Sequence, residues 1–355
     1  MIFNRKSLIN SLEMVADVVG GPQTPIAHQR IIIGQDFVQA SNGMMIIQSM
    51  LPEPTGDRET GIECAVNGKA FIDFLNGINT ESVHLVFESE TNTLKVRGGD
   101  GKAKVKGNFV TSSLKDCGRI VVPDDNQPIA HDTQKLIGAL AACGHVASPD
   151  KTQGALCGVK LDKSYVLATD RTRVVRGTMD SEMTVDCVVP VDFIKVVAKY
   201  KEYIGKLVLY DNYGLVAFGE RLLIATTLCS DTYPDLHKYF QQIDDAPCRI
   251  VFGGGIEESI KRHSSMLKDV HHSERDTVFS IDGIICTIST TNATVGQLTD
   301  TLILREKVDT PVDFCINPML LLKIISDDTE IMYSQSTKLI TIVVDNFTYL
   351  IQTRR

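Results

Sequence analysis

Apolar and polar positions repeat three times along the chain. In the clearest copy, Pro190-Val191-Asp192-Phe193-Ile194-Lys195-Val196-Val197-Ala198-Lys199, the residues Phe193, Val196, Val197 and Tyr200 fall at helical spacing. Lys195 and Lys199 stand four apart on the opposite face. The spacing predicts an amphipathic helix with a basic back, opened by Pro190 and preceded by the β-rich Val185-Asp186-Cys187-Val188-Val189. The same arrangement recurs from Val66 through Gly68, Lys69, Phe71 and Leu75, and from Ile316 through Pro318, Leu321, Lys323 and Ile325. Val66, Val189 and Ile316 are equivalent positions, 123 and 127 residues apart.

An earlier helix belongs to each copy. Arg5 to Val19 turns Leu8, Leu12 and Val15 inward, Thr133 to Val146 turns Leu136, Leu140 and Cys143 inward, and Gly255 to Leu267 turns Ile256, Ile260 and Leu267 inward. Between the two helices of each copy lie strands with turns at Gly34-Gln35-Asp36, Asp162-Lys163 and Asp282-Gly283. After the second helix, further turn signals fall near Glu90–Asn92, Asp211–Gly214 and Ser334–Ser336. The expected fold class is therefore α+β: three repeated domains, each reading helix, strands, helix, strands. Polar, Pro-containing connectors at 113–128 and 241–247 set the domains at 1–123, 124–246 and 247–355.

Length agrees, since a chain of 355 residues exceeds what one core fills. No apolar run reaches the roughly 18 residues of a membrane span, so a cytoplasmic protein with no membrane partner is expected. Nine cysteines without a CxxC pair read as reduced, structural thiols. The net charge of −8 is unevenly placed, because basic residues outnumber acidic ones on the six expected helices. Acidic sheets and mildly basic helices follow.

Catalytic motifs are sparse. Val251-Phe252-Gly253-Gly254-Gly255 lacks the Gly-Lys-Ser/Thr of a phosphate loop and reads as a plain turn. His271-His272 has no third ligand at useful spacing, so neither metal nor cofactor is expected. The most distinctive stretch is Val166-Leu167-Ala168-Thr169-Asp170-Arg171-Thr172-Arg173-Val174-Val175, a strand, a turn and a strand with arginines beside the turn. Exposed basic and hydroxyl groups there can contact a partner chain.

At this point the sequence resembles the bacterial β sliding clamp of the replicative DNA polymerase, as a divergent copy of cellular or viral origin. The resemblance rests on Ala168-Thr169-Asp170 with Arg173, Val189-Pro190, Tyr233-Pro234-Asp235-Leu236, Ile316-Asn317-Pro318 and Tyr349-Leu350-Ile351, in order across all three copies. It implies a non-enzymatic processivity factor that encircles double-stranded DNA without sequence specificity. It also implies a hydrophobic pocket for the short linear motifs of polymerase and clamp loader, lined by Leu156, Thr169, Arg173, Val174, Pro234, Leu350 and the C-terminal tail. This chain departs from the family there. Arg171-Thr172 replaces Gly-His, Lys238-Tyr239 replaces an Arg-Val pair, and Gln352-Thr353-Arg354-Arg355 replaces the usual tail. A more basic pocket is expected, formed as Arg171, Arg173, Lys238, Arg354 and Arg355 converge. The loop from Asp150 to Ala155 lacks the tyrosines that touch DNA in relatives.

The resemblance further implies a homodimeric ring, closed head to tail by Met266 and Leu267 and by the strand Lys102–Val110, which includes Val105. Helices would line the hole, turning Arg5, Lys6, Lys69, Lys135, Lys195, Lys199, Lys261 and Lys323 toward DNA. Two other classes stay open: an enzyme built from isolated residues such as Asp170, His145 and Arg173, and a monomeric scaffold of the same repeats.

Overall fold

The computed structural model describes residues 1–55, 62–99, 104–112, 127–211, 214–241, 243, 247–271 and 274–354. Both expected boundaries, 123 and 246, lie outside them. Contacts divide the chain into two compact units, Met1–Ala141 with Val189–Leu228, and Ala142–Val188 with Cys229–Arg355. The middle third is shared because its strands extend a sheet in each unit.

In the first unit, α1 (Arg5–Ala16) buries Leu8, Ile9, Leu12 and Val15. It starts where the Asn4 side chain accepts from the Ser7 amide at 3.1 Å, satisfying a donor that the first turn leaves open. Asn67 caps α2 (Gly68–Gly77) the same way, accepting from Ala70 N. A Cβ at Gly68 would stand 2.7 Å from Ile31, so only glycine lets this helix close on the sheet. That sheet has seven strands, with Ile204–Tyr210, Gly214–Gly219 and Leu222–Thr226 joined to Met45–Met50 and its neighbours. Ile224 faces Ile47 in antiparallel register. A second sheet orders Ile2–Asn4, Ser82–Glu88, Thr93–Gly99 and Lys104–Val110, and Phe109 on its last strand packs edge-on against Phe71 and Phe74 of α2. The helix α3 (Thr133–Gly144) runs into the second unit, and α4 (Val191–Lys199) lies in the first. With no side-chain cap, α4 places Asp192 in its first turn and Lys199 in its last, both favourable to the helix dipole.

In the second unit an eight-stranded antiparallel sheet carries Gly158–Asp162, Tyr165–Thr169 and Arg173–Thr178 beside Phe347–Gln352, Leu339–Val344, Glu330–Ser334 and Cys248–Val251. A short α5 (His237–Phe240) lies on it. Phe279, Phe314 and Tyr333 stack at 4.9 Å steps in the core. The helix α6 (Ile256–Met266) opens on Gly255, at φ 79 and without a capping side chain. Asp327 supplies the missing acceptor from another segment, taking the Glu257 amide at 3.3 Å, and these backbone amides hold its carboxyl below the usual range.

Two expected elements differ. The second helix of the third copy is only a 3-10 turn, Pro318–Leu320, continued by three-residue hydrogen bonds to Ile324. Leu321, Ile324 and Ile325 are still buried, so the periodicity serves a tighter turn than an α-helix. Asp282-Gly283 does not reverse the chain. Gly283, at φ 61, bends the long strand Thr277–Asn292, whose pairing slips from Ile281 opposite Val312 to Ile285 opposite Ile303. The eight described cysteines are free thiols, and burial pushes Cys64, Cys143 and Cys286 up to about 12.

Candidate functional site

The turn singled out in the sequence borders a cleft of about 650 Å³ in the second unit. Asp170 organises this turn, its Oδ1 accepting from the amides of Thr172 at 2.9 Å and Arg173 at 2.8 Å. Thr169 Oγ1 accepts from Arg171 N and donates to Arg173 O. So constrained, Arg171 adopts φ 76, a left-handed conformation in which its Cβ is crowded. Thr172 O accepts from Gln352 N, tying the end of the last strand to the turn.

Leu156, Val174, Leu236, Leu339 and Leu350 supply the apolar lining, with Tyr233, Pro234 and Tyr239 beside them. Polar groups come from Thr152, Gln153, Thr169, Thr172, Thr232 and Gln352, and the charged ones from Arg171 and Asp231. Gly154, at φ 56, lets its loop reach Asp231, since a Cβ there would stand 2.3 Å from Asp231 Oδ2. Tyr239 is carried by α5, which is fastened from below. The Arg176 guanidinium lies 4.2 Å from the Phe240 ring centre, and His237 Nε2 bonds Asp162 Oδ2 at 2.9 Å.

Of the residues expected to line a pocket, Leu156, Thr169, Arg171, Thr172, Val174, Pro234, Tyr239, Leu350 and Gln352 come together, while among the described residues the basic cluster does not form. Arg173 is a strut, pairing with Asp170 at 2.9 Å and donating to His145 O at 3.2 Å. The Lys238 ammonium lies over the Tyr239 ring. Thr353 is buried and donates to Lys338 O, and Arg354 pairs with Asp276. Arg355 lies outside the described residues. Among the described residues Arg171 is thus the one cation of this group that lines the cleft, and Asp231 lines it too. Leu236, Leu339, Tyr233 and Asp231 also line the cleft without having been expected there; Tyr233-Pro234 was the local signal for one of these walls.

The residues considered for an enzyme are adjacent, but Asp170 and Arg173 are consumed by the turn. Burial, with help from Arg173 and Lys323, holds His145 down at about 4, so it stands neutral against Tyr349. Among the described residues no cluster could hold a metal ion.

The helix cations are differently placed from one another. Arg5 is an internal tie, donating to Thr80 O at 2.8 Å and Leu75 O at 3.1 Å, which corrects its expected outward role. Lys6, Lys69, Lys135, Lys195, Lys199 and Lys261 are exposed on helices, and Lys323 is exposed on a turn. Carboxylates hold Lys195, by Asp192 at 3.5 Å, Lys199, by Asp17 at 2.7 Å, and Lys261, by Glu257. Of the expected interface residues, Val105 and Met266 are half-buried, whereas Leu267 is 0% exposed. Leu267 belongs to the core of its own unit and has no surface to offer a second subunit.

Arg171→Gly is expected to raise stability by about 1 kcal/mol, because glycine accepts the left-handed backbone without the Cβ clash. The same change should weaken binding of peptides with Asp or Glu beside their apolar anchor. Chemical denaturation and peptide titration of the one variant check both effects.

No protein-family model matches the chain, and no curated protein does. Solved structures do. The beta subunit from DNA polymerase of Streptococcus pyogenes superposes with a TM-score of 0.84 at 17% identity, covering 100% of this chain and 99% of that one. DNA polymerase sliding clamps from Bacillus subtilis and Caulobacter crescentus give 0.82 at 15% and 16% identity, over 100% of this chain and 98% and 99% of theirs. At such identities the likeness establishes the fold: this chain has the sliding-clamp fold of three repeated domains over its whole length.

Proposed function

We propose that this protein is a DNA sliding clamp. Two copies close a ring around double-stranded DNA, and the cleft beside Arg171 takes the short linear motifs of a DNA polymerase and a clamp loader. The observation that carries this reading is the full-length sliding-clamp fold combined with an apolar cleft at the turn marked by the sequence. Domains of 1–123, 124–246 and 247–355 would give six per ring, closed by the strand Lys104–Val110 with Val105 of one subunit and the Met266 region of the next. The function is topological rather than catalytic, since a closed ring stays on DNA without gripping it.

Sliding requires weak, sequence-independent attraction. Phosphate contacts by lysine supply such attraction, and salt screens it over about 8 Å. The carboxylates beside Lys195, Lys199 and Lys261 suit this need, because each lowers the net pull on a phosphate. Retention on circular against linear DNA tests the function.

A further inference from the structure

Among the described residues, the carboxylates around the cleft are spent on the fold, and Asp231 is the exception. Asp170 braces its turn, and Asp150 accepts from Thr152 N at 3.0 Å and from Thr152 Oγ1 at 2.7 Å. Those bonds, with the Arg171 charge adding to them, hold the Asp150 carboxyl below the usual range. Asp235 accepts from the His237 amide at 3.0 Å, and Asp162 bonds the His237 ring. Asp231 lies exposed at the cleft, and among the described residues its carboxylate forms no ion pair and no hydrogen bond.

Its position is built in. The loop Lys151–Cys157 breaks its 3-10 geometry at Gly154, at φ 56 and ψ −122, and there its main chain meets the carboxylate. A Cβ at 154 would stand 2.3 Å from Asp231 Oδ2, so glycine is what lets the carboxylate rest against the backbone. Close packing limits the rotamers open to it. A carboxylate kept only for solubility needs no such seat. Arg171 lines the same cleft, yet among the described residues the two form no ion pair, so the charge is held there without a partner.

We propose that the peptide motif bound in this cleft carries a lysine or arginine close to its apolar anchor, and that Asp231 selects it. This rests on the cleft being the motif site argued above, and it names the charge that such a motif must bear. An anchor seated among Leu156, Val174 and Leu350 leaves its neighbours in an extended peptide pointing away, toward the rim. There an ammonium or guanidinium donates charge-assisted hydrogen bonds to Asp231, whose carboxylate only accepts. An acidic residue in the same place meets repulsion, so Asp231 rejects some motifs as well as attracting others. A metal ion is a poor occupant, since a hard cation takes several oxygen ligands and among the described residues no cluster supplies them. Arg171 takes an acidic residue at another position, and a motif of mixed charge satisfies both side chains.

The test selects displayed random decapeptides on the full chain and, separately, on D231K. The wild type should enrich Lys or Arg at one fixed distance from an apolar anchor, and D231K should enrich Asp or Glu there. A peptide selected on the wild type is then titrated beside a copy with glutamine in place of that cation. The wild type should prefer the cation by about three- to fivefold, the scale of an exposed ion pair. D231N should show a ratio near one, and D231K a ratio below one. In about 1 M salt, which screens over about 3 Å, the wild-type preference should vanish. Asp231 is exposed, so both variants should melt with the wild type. The proposal is overturned if the wild type and D231K select the same charges, or if the preference survives in D231N; either result leaves apolar-anchored peptides bound and the motif site standing. Selection of no apolar-anchored peptide, or of peptides that bind Y239A as well as the wild type, would overturn the motif site and this proposal with it.

Discussion

Leu267→Lys is expected to unfold the third domain rather than merely to release one subunit from another. Its side chain is fully buried at the end of α6, where a cation would have no partner. Burial of an unpaired charge costs on the order of 3–5 kcal/mol, a large share of the stability of a domain. Met266→Glu should behave differently. Met266 is half-buried, and its carbonyl already accepts from Asn292 Nδ2 at 2.7 Å, so the backbone stays held while the side chain meets a neighbour. That variant should melt close to the wild type yet sediment as a monomer. Calorimetry and analytical ultracentrifugation of the two single variants separate the effects. A dimeric, stable M266E protein would place the subunit interface elsewhere.

Tyr239→Ala should cost the cleft about 2 kcal/mol of peptide affinity, near thirtyfold, in the range of an aromatic hot spot. Tyr239 is 38% exposed and projects from α5 at the cleft, whereas the anchors of that helix are Phe240 and His237, which the change leaves intact. The fold should therefore survive. Titration of a polymerase-derived linear peptide against both proteins reads the loss, and unchanged affinity would remove Tyr239 from the site. Preference for acidic flanks should be limited, because Arg171 shares the cleft with Asp231 while Arg173, Lys238 and Arg354 are engaged elsewhere.

The regular helices were legible in the sequence because each has an apolar stripe long enough to show its period. Leu8, Leu12 and Val15 mark α1, and Phe193 and Val197, both buried, mark α4. At four residues α5 is too short for any period to appear. Pro318 does open a first turn, as its position suggests, but periodicity alone does not separate an α-helix from a 3-10 turn that buries Leu321, Ile324 and Ile325. Gly283 gave a turn signal, and a bulge uses glycine for the same left-handed backbone.

The cleft was legible where it is local. Thr169 through Arg173 form one turn shaped by hydrogen bonds within five residues, from Thr169 Oγ1 and to Asp170 Oδ1. Its fate beyond the turn was not legible. Arg173 is spent on Asp170, which the spacing of three residues could have suggested. Arg354 is spent on Asp276, which pairing distant in sequence alone decides. Leu236 and Leu339 reach the cleft from segments about 100 residues apart, and no local pattern announces that meeting.

The ring itself is tested most directly by topology. The protein would be incubated with closed circular plasmid and the clamp loader of its host, separated from free protein by gel filtration, and the plasmid then cut once with a restriction enzyme. A sliding clamp should travel with the circle at moderate salt and be lost when the circle is opened, because nothing but closure holds it. Equal retention on circular and linear DNA, or none on the circle, would contradict the sliding-clamp reading.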